Sequence, residues 1–258
     1  MKTLLPLLYA YIRVLTKQQK TIDYAQFGLK SPWLMGLITT FSEAFNLCLL
    51  ISFFPLLILF VLIITDDLGS NPIEAFHLHT GIWTLRFLCI TLLVTPVQVI
   101  TKWRGMAYFR QLFGLMTFFY GAVHVYGYLA IDQAWVWSSI FRDISETTYI
   151  WWGLFCFIVL VLLALTSSKP AKKAMGRNWK KLHRWIYPAS VAAVLHYLLQ
   201  LKGNLAEPIL YGLLIVFLLL FRVLVWLKDR KVTRLMIPKR PPVEEEGKGP
   251  AEETHPVS

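Results

Sequence analysis

The stretch LCLLISFFPLLILFVLII, residues 47–64, carries no charged side chain. With its flanks, 44–65, it has the roughly 20 apolar residues that a helix needs to cross the hydrocarbon of a bilayer. Backbone polar groups find no water there and must be satisfied internally, which a single long apolar run achieves as a helix. Pro55 in its middle predicts a kink. Working outward, apolar length marks further spans at 82–100, 113–131, 149–166, a shorter run at 185–201 that contains Pro188, and 209–227. The fourth run opens on Trp and Phe side chains, as an interfacial aromatic belt does. The predicted fold is an all-α integral membrane protein, a six-helix transmembrane bundle with both termini on one side.

Composition agrees. Apolar residues make up 56% of the 258, while the charges gather in a few short stretches, which is a membrane composition and not that of a soluble core. A formal net charge of +11 raises nucleic acid as a partner, but the basic residues lie beside the apolar runs, where they meet lipid headgroups. The lipid bilayer accounts for the charge without nucleic acid. Cys48, Cys89 and Cys156 sit singly inside apolar runs. They have no CxxC spacing and no nearby histidine to complete a zinc set, so they read as packing residues.

Orientation follows from the short connections, because Lys and Arg near span ends are retained in the cytoplasm. Lys102, Arg104 and Arg110 follow the second span; Lys169, Lys172, Lys173, Arg177, Lys180, Lys181 and Arg184 follow the fourth; Lys228, Arg230, Lys231 and Arg234 follow the sixth. These are predicted to be cytoplasmic. The alternate connections carry Asp66, Asp67 and Glu74, then Asp132, Asp143 and Glu146, then Lys202 against Glu207, and face the other side. Residues 1–43 hold two apolar stretches too short to span, and read as a cytoplasmic or interfacial arm. The membrane domain is 44–231. The tail, 232–258, is rich in Pro, Glu and Gly and is expected to be disordered. No glycine-rich phosphate loop or nucleotide fingerprint occurs, so the chain carries no nicotinamide domain of its own.

Three of the six histidines, His124, His183 and His196, fall within or at the edge of the third and fifth spans. An ionisable side chain deep in a span is expensive and is a functional candidate, against the alternative of an imidazole hydrogen-bonded to a neighbouring helix. Depth favours function for two of them. Counted from the basic side, His124 lies about 21 Å along its helix and His196 about 18 Å along its own. Two imidazoles at one depth between helices can supply both axial bonds of a six-coordinate haem iron inside an apolar bundle. Without CxxCH, such a haem is b-type, held by coordination and packing alone.

His183 lies about 20 Å nearer the cytoplasm than His196, which would suit a second haem in line, but the two side chains are about 140° apart around a regular helix. Gln111 occupies the matching depth on the third span. A second haem would need another ligand, or else His183 serves a propionate or a different cofactor. Arg86, one turn inside the second span, is a candidate propionate partner, with snorkelling to the surface as the alternative. His77 and His79 are expected in a solvent-exposed loop with an ordinary surface role, and His255 lies in the tail.

Several segments carry a resemblance: HTGIWTLRFLCITLLVTP (79–96), RQLFGLMTFFYGAVHVYGYL (110–129), GRNWKKLHRWIY (176–187) and VLHYLL (194–199). Together, over about 45–227, the chain resembles the MsrQ (YedZ) family, the haem-bearing membrane subunit of the bacterial periplasmic methionine sulfoxide reductase system, within the ferric reductase-like transmembrane superfamily. The W-x-x-L-H stretch ending at His183, with histidines thirteen positions on and in the third span, is its most specific part. The resemblance implies a multi-pass protein of the bacterial inner membrane that takes electrons from the quinone pool or a cytosolic flavin reductase. It would pass them to the periplasmic molybdopterin reductase MsrP, where substrate reduction resides, so that this chain is an electron-transfer subunit and not itself the enzyme. It carries the family's haem histidines onto His124, His183 and His196, and it implies FMN without locating it. Leu78 stands where the family often has a histidine two positions before Thr-Gly, flanked here by His77 and His79.

The competing class is a multi-spanning transporter or membrane scaffold whose histidine pair relays protons. Against it, the spans lack paired carboxylates and show no internal repeat. A self-contained metal reductase would carry a cytosolic flavin and nicotinamide domain, for which the C-terminal tail is too short.

Overall fold

The computed structural model describes residues 32–103, 105–201 and 203–236, and all its regular elements there are helical. The expectations for 1–31 and 237–258 lie outside the described residues. The chain divides into two units, Met1–Arg222 and Val223–Ser258, the second being helical over its described residues. In order, the helices are α1 (Pro32–Ile64), α2 (Pro72–Thr101), α3 (Met106–Gly127), a π-helical turn (Tyr128–Asp132), α4 (Trp137–Glu146), α5 (Thr148–Leu165), α6 (Lys169–Met175), α7 (Arg177–His183), α8 (Ile186–Gln200) and α9 (Ala206–Met236). α2 packs along α3 and α5 along α8, and α3 touches α5 to join the two pairs.

Five segments are long and apolar enough to cross a membrane: Ser42–Ile64, Pro72–Thr101, Met106–Asp132, Thr148–Leu165 and Ala206–Lys228. The outward faces agree, with Leu50 69% and Leu165 71% exposed, a cost that water would not tolerate over so many large apolar side chains but that lipid removes. The protein is an integral membrane protein. The fifth predicted run becomes α8, whose 15 residues reach only about 22 Å, less than the roughly 30 Å of hydrocarbon.

α1 starts at Pro32, so residues 32–43 are its first turns. α2 corrects one expectation. Asn71 accepts a hydrogen bond from the Glu74 N–H at 3.3 Å and Pro72 opens the helix, a strong start signal. His77 and His79 therefore lie on α2 and not in a loop. The 30 residues of α2 extend about 45 Å, longer than the hydrocarbon is thick, so hydropathy alone missed the polar first turns.

Two prolines break helical ladders, and side chains from other helices repair them. Beside Pro55 in α1, the buried Tyr120 hydroxyl of α3 accepts from Leu56 N–H at 3.2 Å and donates to the Ser52 carbonyl at 2.8 Å, inserting itself into that rung. His79 reaches the Pro55 carbonyl at 2.9 Å. Pro96 in α2 has no N–H for the Leu92 carbonyl, and Arg222 Nη2 of α9 donates to it at 3.0 Å. Both repairs tie a helix to its neighbour where no water is available to do so.

Candidate functional site

Three imidazoles stand in a row at the end of the bundle where α2 begins. The ring centre of His77 on α2 is 5.4 Å from that of His124 on α3, which is 6.2 Å from that of His196 on α8; both pairs of planes cross at 88°. They line a cavity of about 740 Å³ together with Gly81, Tyr149 and Gly153. That size falls within the roughly 300–1,000 Å³ of small-molecule and cofactor sites.

Hydrogen bonds fix the tautomers of the central pair. The Tyr149 carbonyl can only accept, so Nδ1 of His196, 2.8 Å away, carries the proton. Thr80 commits its single hydroxyl proton to the carbonyls of Phe76 and His77, at 2.9 and 3.2 Å. Its oxygen therefore accepts from Nδ1–H of His124 at 3.1 Å. Both rings are left with a lone pair on Nε2. This is the second-shell pattern that orients metal-binding histidines.

Two glycines make room for the same two rings. A Cβ at Gly153 would sit 2.7 Å from Nδ1 of His196, and one at Gly81 would sit 3.3 Å from Cε1 of His124. The rings are thus seated against bare backbone, and a larger residue at Gly153 would collide with the imidazole.

Around them the cavity is polar on one side. His77 Nε2 is 2.8 Å from Asp132 Oδ2, at ion-pair distance but without hydrogen-bond alignment. The π-helical turn ends at Asp132 and brings it to α2. Asp143 accepts from Tyr128 Oη at 2.8 Å, Gln133 Nε2 at 3.2 Å and Thr147 Oγ1 at 3.0 Å, closing the rim between the π-helical turn and α5.

The donor set bears on what the cavity can hold. Among the described residues no cluster of three or more His, Cys, Asp or Glu could hold a bare metal ion. Two facing imidazoles alone suit a metal that brings its remaining ligands with it, which is the case of haem iron.

The other candidates from the sequence lie elsewhere. His183, at the end of α7, stacks on Trp179 with ring centres 4.0 Å apart, and its Nε2 meets Thr166 Oγ1 at 3.1 Å. Burial, then the charges of Arg110 and Lys172, push its pKa down to about 4, so the ring is neutral near pH 7. Gln111 donates to the Ser167 carbonyl at 2.9 Å. Arg86 does not line the cavity; its Nε donates to Tyr211 Oη at 2.9 Å and its guanidinium lies 4.7 Å from the Trp83 ring centre. Residue patterns had not singled out Thr80, Gly81, Tyr149 or Gly153 for function, and had assigned His77 to the surface. Thr-Gly at 80–81 was visible only as a landmark of the resemblance.

Comparison with known proteins follows the same segments. The family described as ferric reductase like transmembrane component matches residues 80–194, taking in Thr80, His124 and His183 and ending just before His196. The protein-methionine-sulfoxide reductase heme-binding subunit MsrQ of Xanthomonas campestris pv. campestris (strain B100) is 39% identical over 169 residues, 66% of this chain and 78% of that protein. The protein of the same name from Rhodospirillum rubrum is 38% identical over 169 residues, 65% and 81% of the two chains. That of Azospira oryzae is 41% identical over 161 residues, 62% and 69%.

Proposed function

The chain belongs to the MsrQ family of haem-binding subunits of protein-methionine-sulfoxide reductase, and from this we propose that it holds b-type haem between His124 and His196 as a membrane electron-transfer subunit. In this proposal the donor is the quinone pool or a cytosolic flavin reductase, and the acceptor is the periplasmic molybdopterin reductase MsrP, in which methionine sulfoxide is reduced. The membrane domain is 44–231 in the bacterial inner membrane, with α8 completing a sixth span and both termini cytoplasmic.

One observation carries the haem assignment. His124 and His196, from two different helices, both have Nδ1 tied off and Nε2 free, with ring centres 6.2 Å apart across one cavity. Bound there, haem supplies a one-electron couple on its iron, whose potential responds to ligands, burial and nearby charge. The chain's own residues do the rest. Thr80 and the Tyr149 carbonyl hold the imidazole protons at Nδ1, which keeps Nε2 basic. Gly81 and Gly153 let the rings lie against backbone. The surrounding helices line the cavity with mostly apolar side chains, and Asp132 and Asp143 stand at its polar rim.

A dithionite-reduced minus oxidised spectrum of the purified full chain tests this. Cytochrome b bands are expected in wild type and are expected to be absent in His124→Ala and His196→Ala. Their absence from wild-type protein expressed with ample haem would sink the assignment. Retained haem in both variants together with lost solute flux would favour the transporter class instead.

A further inference from the structure

At the opposite, basic end of the bundle, cationic groups gather without a counter-charge among the described residues. Arg222 of α9 donates from Nη1 to Tyr187 Oη at 3.2 Å and from Nη2 to the Leu92 carbonyl at 3.0 Å, while its buried Nε has no partner among the described residues. The half-buried guanidinium of Arg110, in the first turns of α3, lies within electrostatic range of Arg222, Tyr187 and His183. Among the described residues it has no hydrogen bond or ion pair of its own. The salt bridge found among those residues, His77 to Asp132, is at the far end.

A third unmet group belongs to the same place. Thr84, Thr91, Thr101 and Thr117 each donate their hydroxyl to the carbonyl four residues before. Thr95 does not, and its buried Oγ1 has no partner among the described residues. A Cβ on Gly114 of α3 would lie 3.6 Å from Thr91 of α2. One turn further toward the basic end, the antiparallel pair is Thr95 and Arg110, on the same facing stripes.

Two guanidiniums in membrane spans, with no carboxylate paired to either among the described residues, carry an uncompensated cost. Their forked donors match the oxygens of a phosphate, and basic pockets between transmembrane helices suit phosphate-bearing headgroups. We propose that Arg110 and Arg222, aided by Tyr187 and Thr95, bind a phosphate oxyanion among α2, α3, α8 and α9, supplied either by an anionic phospholipid headgroup or by soluble phosphate. This site is separate from the His124 and His196 cavity and does not depend on what that cavity holds.

The full chain is reconstituted in phosphatidylcholine nanodiscs, alone or with a phosphatidylglycerol fraction. The unfolding midpoint is followed at constant ionic strength, with inorganic phosphate titrated into the phosphatidylcholine discs. Phospholipid retained after detergent extraction is counted by mass spectrometry. A midpoint rise with phosphatidylglycerol and its selective retention identify the headgroup as the source; a rise with phosphate in neutral discs identifies the soluble ion. In either arm Arg110→Gln is expected to weaken the response at least tenfold and Thr95→Val to weaken it less. Arg110 holds no backbone group, so this variant keeps the Arg222 repair of α2, and lipid retention by wild type reads the site even if the variant is unstable. No response in either arm, or an unchanged response in Arg110→Gln, overturns the proposal. So does loss of haem from Arg110→Gln with the anion response intact, which would give the guanidinium to a haem carboxylate. A response that appears only after residues 237–258 are removed also overturns it, because Glu244, Glu245 and Glu246 would then be the anion.

Discussion

His196 and His183 are thirteen positions apart, yet the protein holds their rings in opposite ways. His196 has Nδ1 against the Tyr149 carbonyl and its other nitrogen free toward a cavity that a second histidine enters from α3. His183 has the reverse arrangement. Thr166 donates its hydroxyl to the Leu162 carbonyl at 2.7 Å, so its oxygen accepts from Nε2–H of His183, and one ring face is covered by Trp179. The nitrogen left over is Nδ1, with Gln111 turned to Ser167 and no partner imidazole among the described residues. Ligand capacity thus depends less on having a histidine than on which nitrogen its neighbours leave free and what stands opposite.

The largest expected effect tests this contrast directly. His124→Ala and His196→Ala should each abolish the haem of that cavity, whereas His183→Ala should leave it in place; haem-to-protein stoichiometry of the purified proteins is the measurement. If His183→Ala removes as much haem as His196→Ala, the two ends are equivalent and the contrast fails. Nearly as large is Gly153→Ala. Its Cβ would sit 2.7 Å from the His196 ring, so the ring must move, and most haem should be lost while the protein still folds. Gly114→Ala, whose Cβ would meet Thr91 at an ordinary 3.6 Å, is the matched control and should retain full haem.

The sequence revealed the parts of this molecule that depend on one-dimensional pattern. Apolar length locates the long helices, and depth arithmetic brings His124 and His196 to one level. It failed where geometry around a helix or between helices decides. His77 read as a loop residue because the first turns of α2 are polar, and hydropathy sees the bilayer, not the Asn71–Pro72 start signal. Gly153 and the Tyr149 carbonyl carry no chemical signature at all; one acts by lacking a side chain and the other is backbone. From depth alone Arg86 reads equally as a propionate partner or a snorkelling side chain, whereas which neighbour its Nε meets, Tyr211 on α9, is decided by its helical face. Tyr120 resembled any apolar packing residue, although its hydroxyl occupies a helical rung beside Pro55.

Threonine to valine, made once at each end, sharpens the comparison with a single chemistry. Thr80→Val keeps the shape and removes the oxygen that accepts Nδ1–H of His124, so the ring loses the partner that fixes its tautomer. Outer-shell losses of this kind typically cost about 10–100-fold in metal affinity, and Thr80→Ser should restore most of it in a haem titration of apo-protein.

Thr166→Val should have the smallest effect of the series. It removes the acceptor of His183 Nε2–H, about 1 kcal/mol for a hydrogen bond of this kind, and frees the ring to turn on Trp179. Because Thr166 does not line the histidine cavity, haem affinity there and the reduced-minus-oxidised spectrum should match wild type, with only a slight fall in the unfolding midpoint. A changed spectrum or a lowered haem count in Thr166→Val would mean that His183 acts on haem and that Thr166 orients it, making the basic end a second ligand site. The same substitution at Thr80 and Thr166 therefore separates a threonine that presents a ligand from one that merely ties up an imidazole.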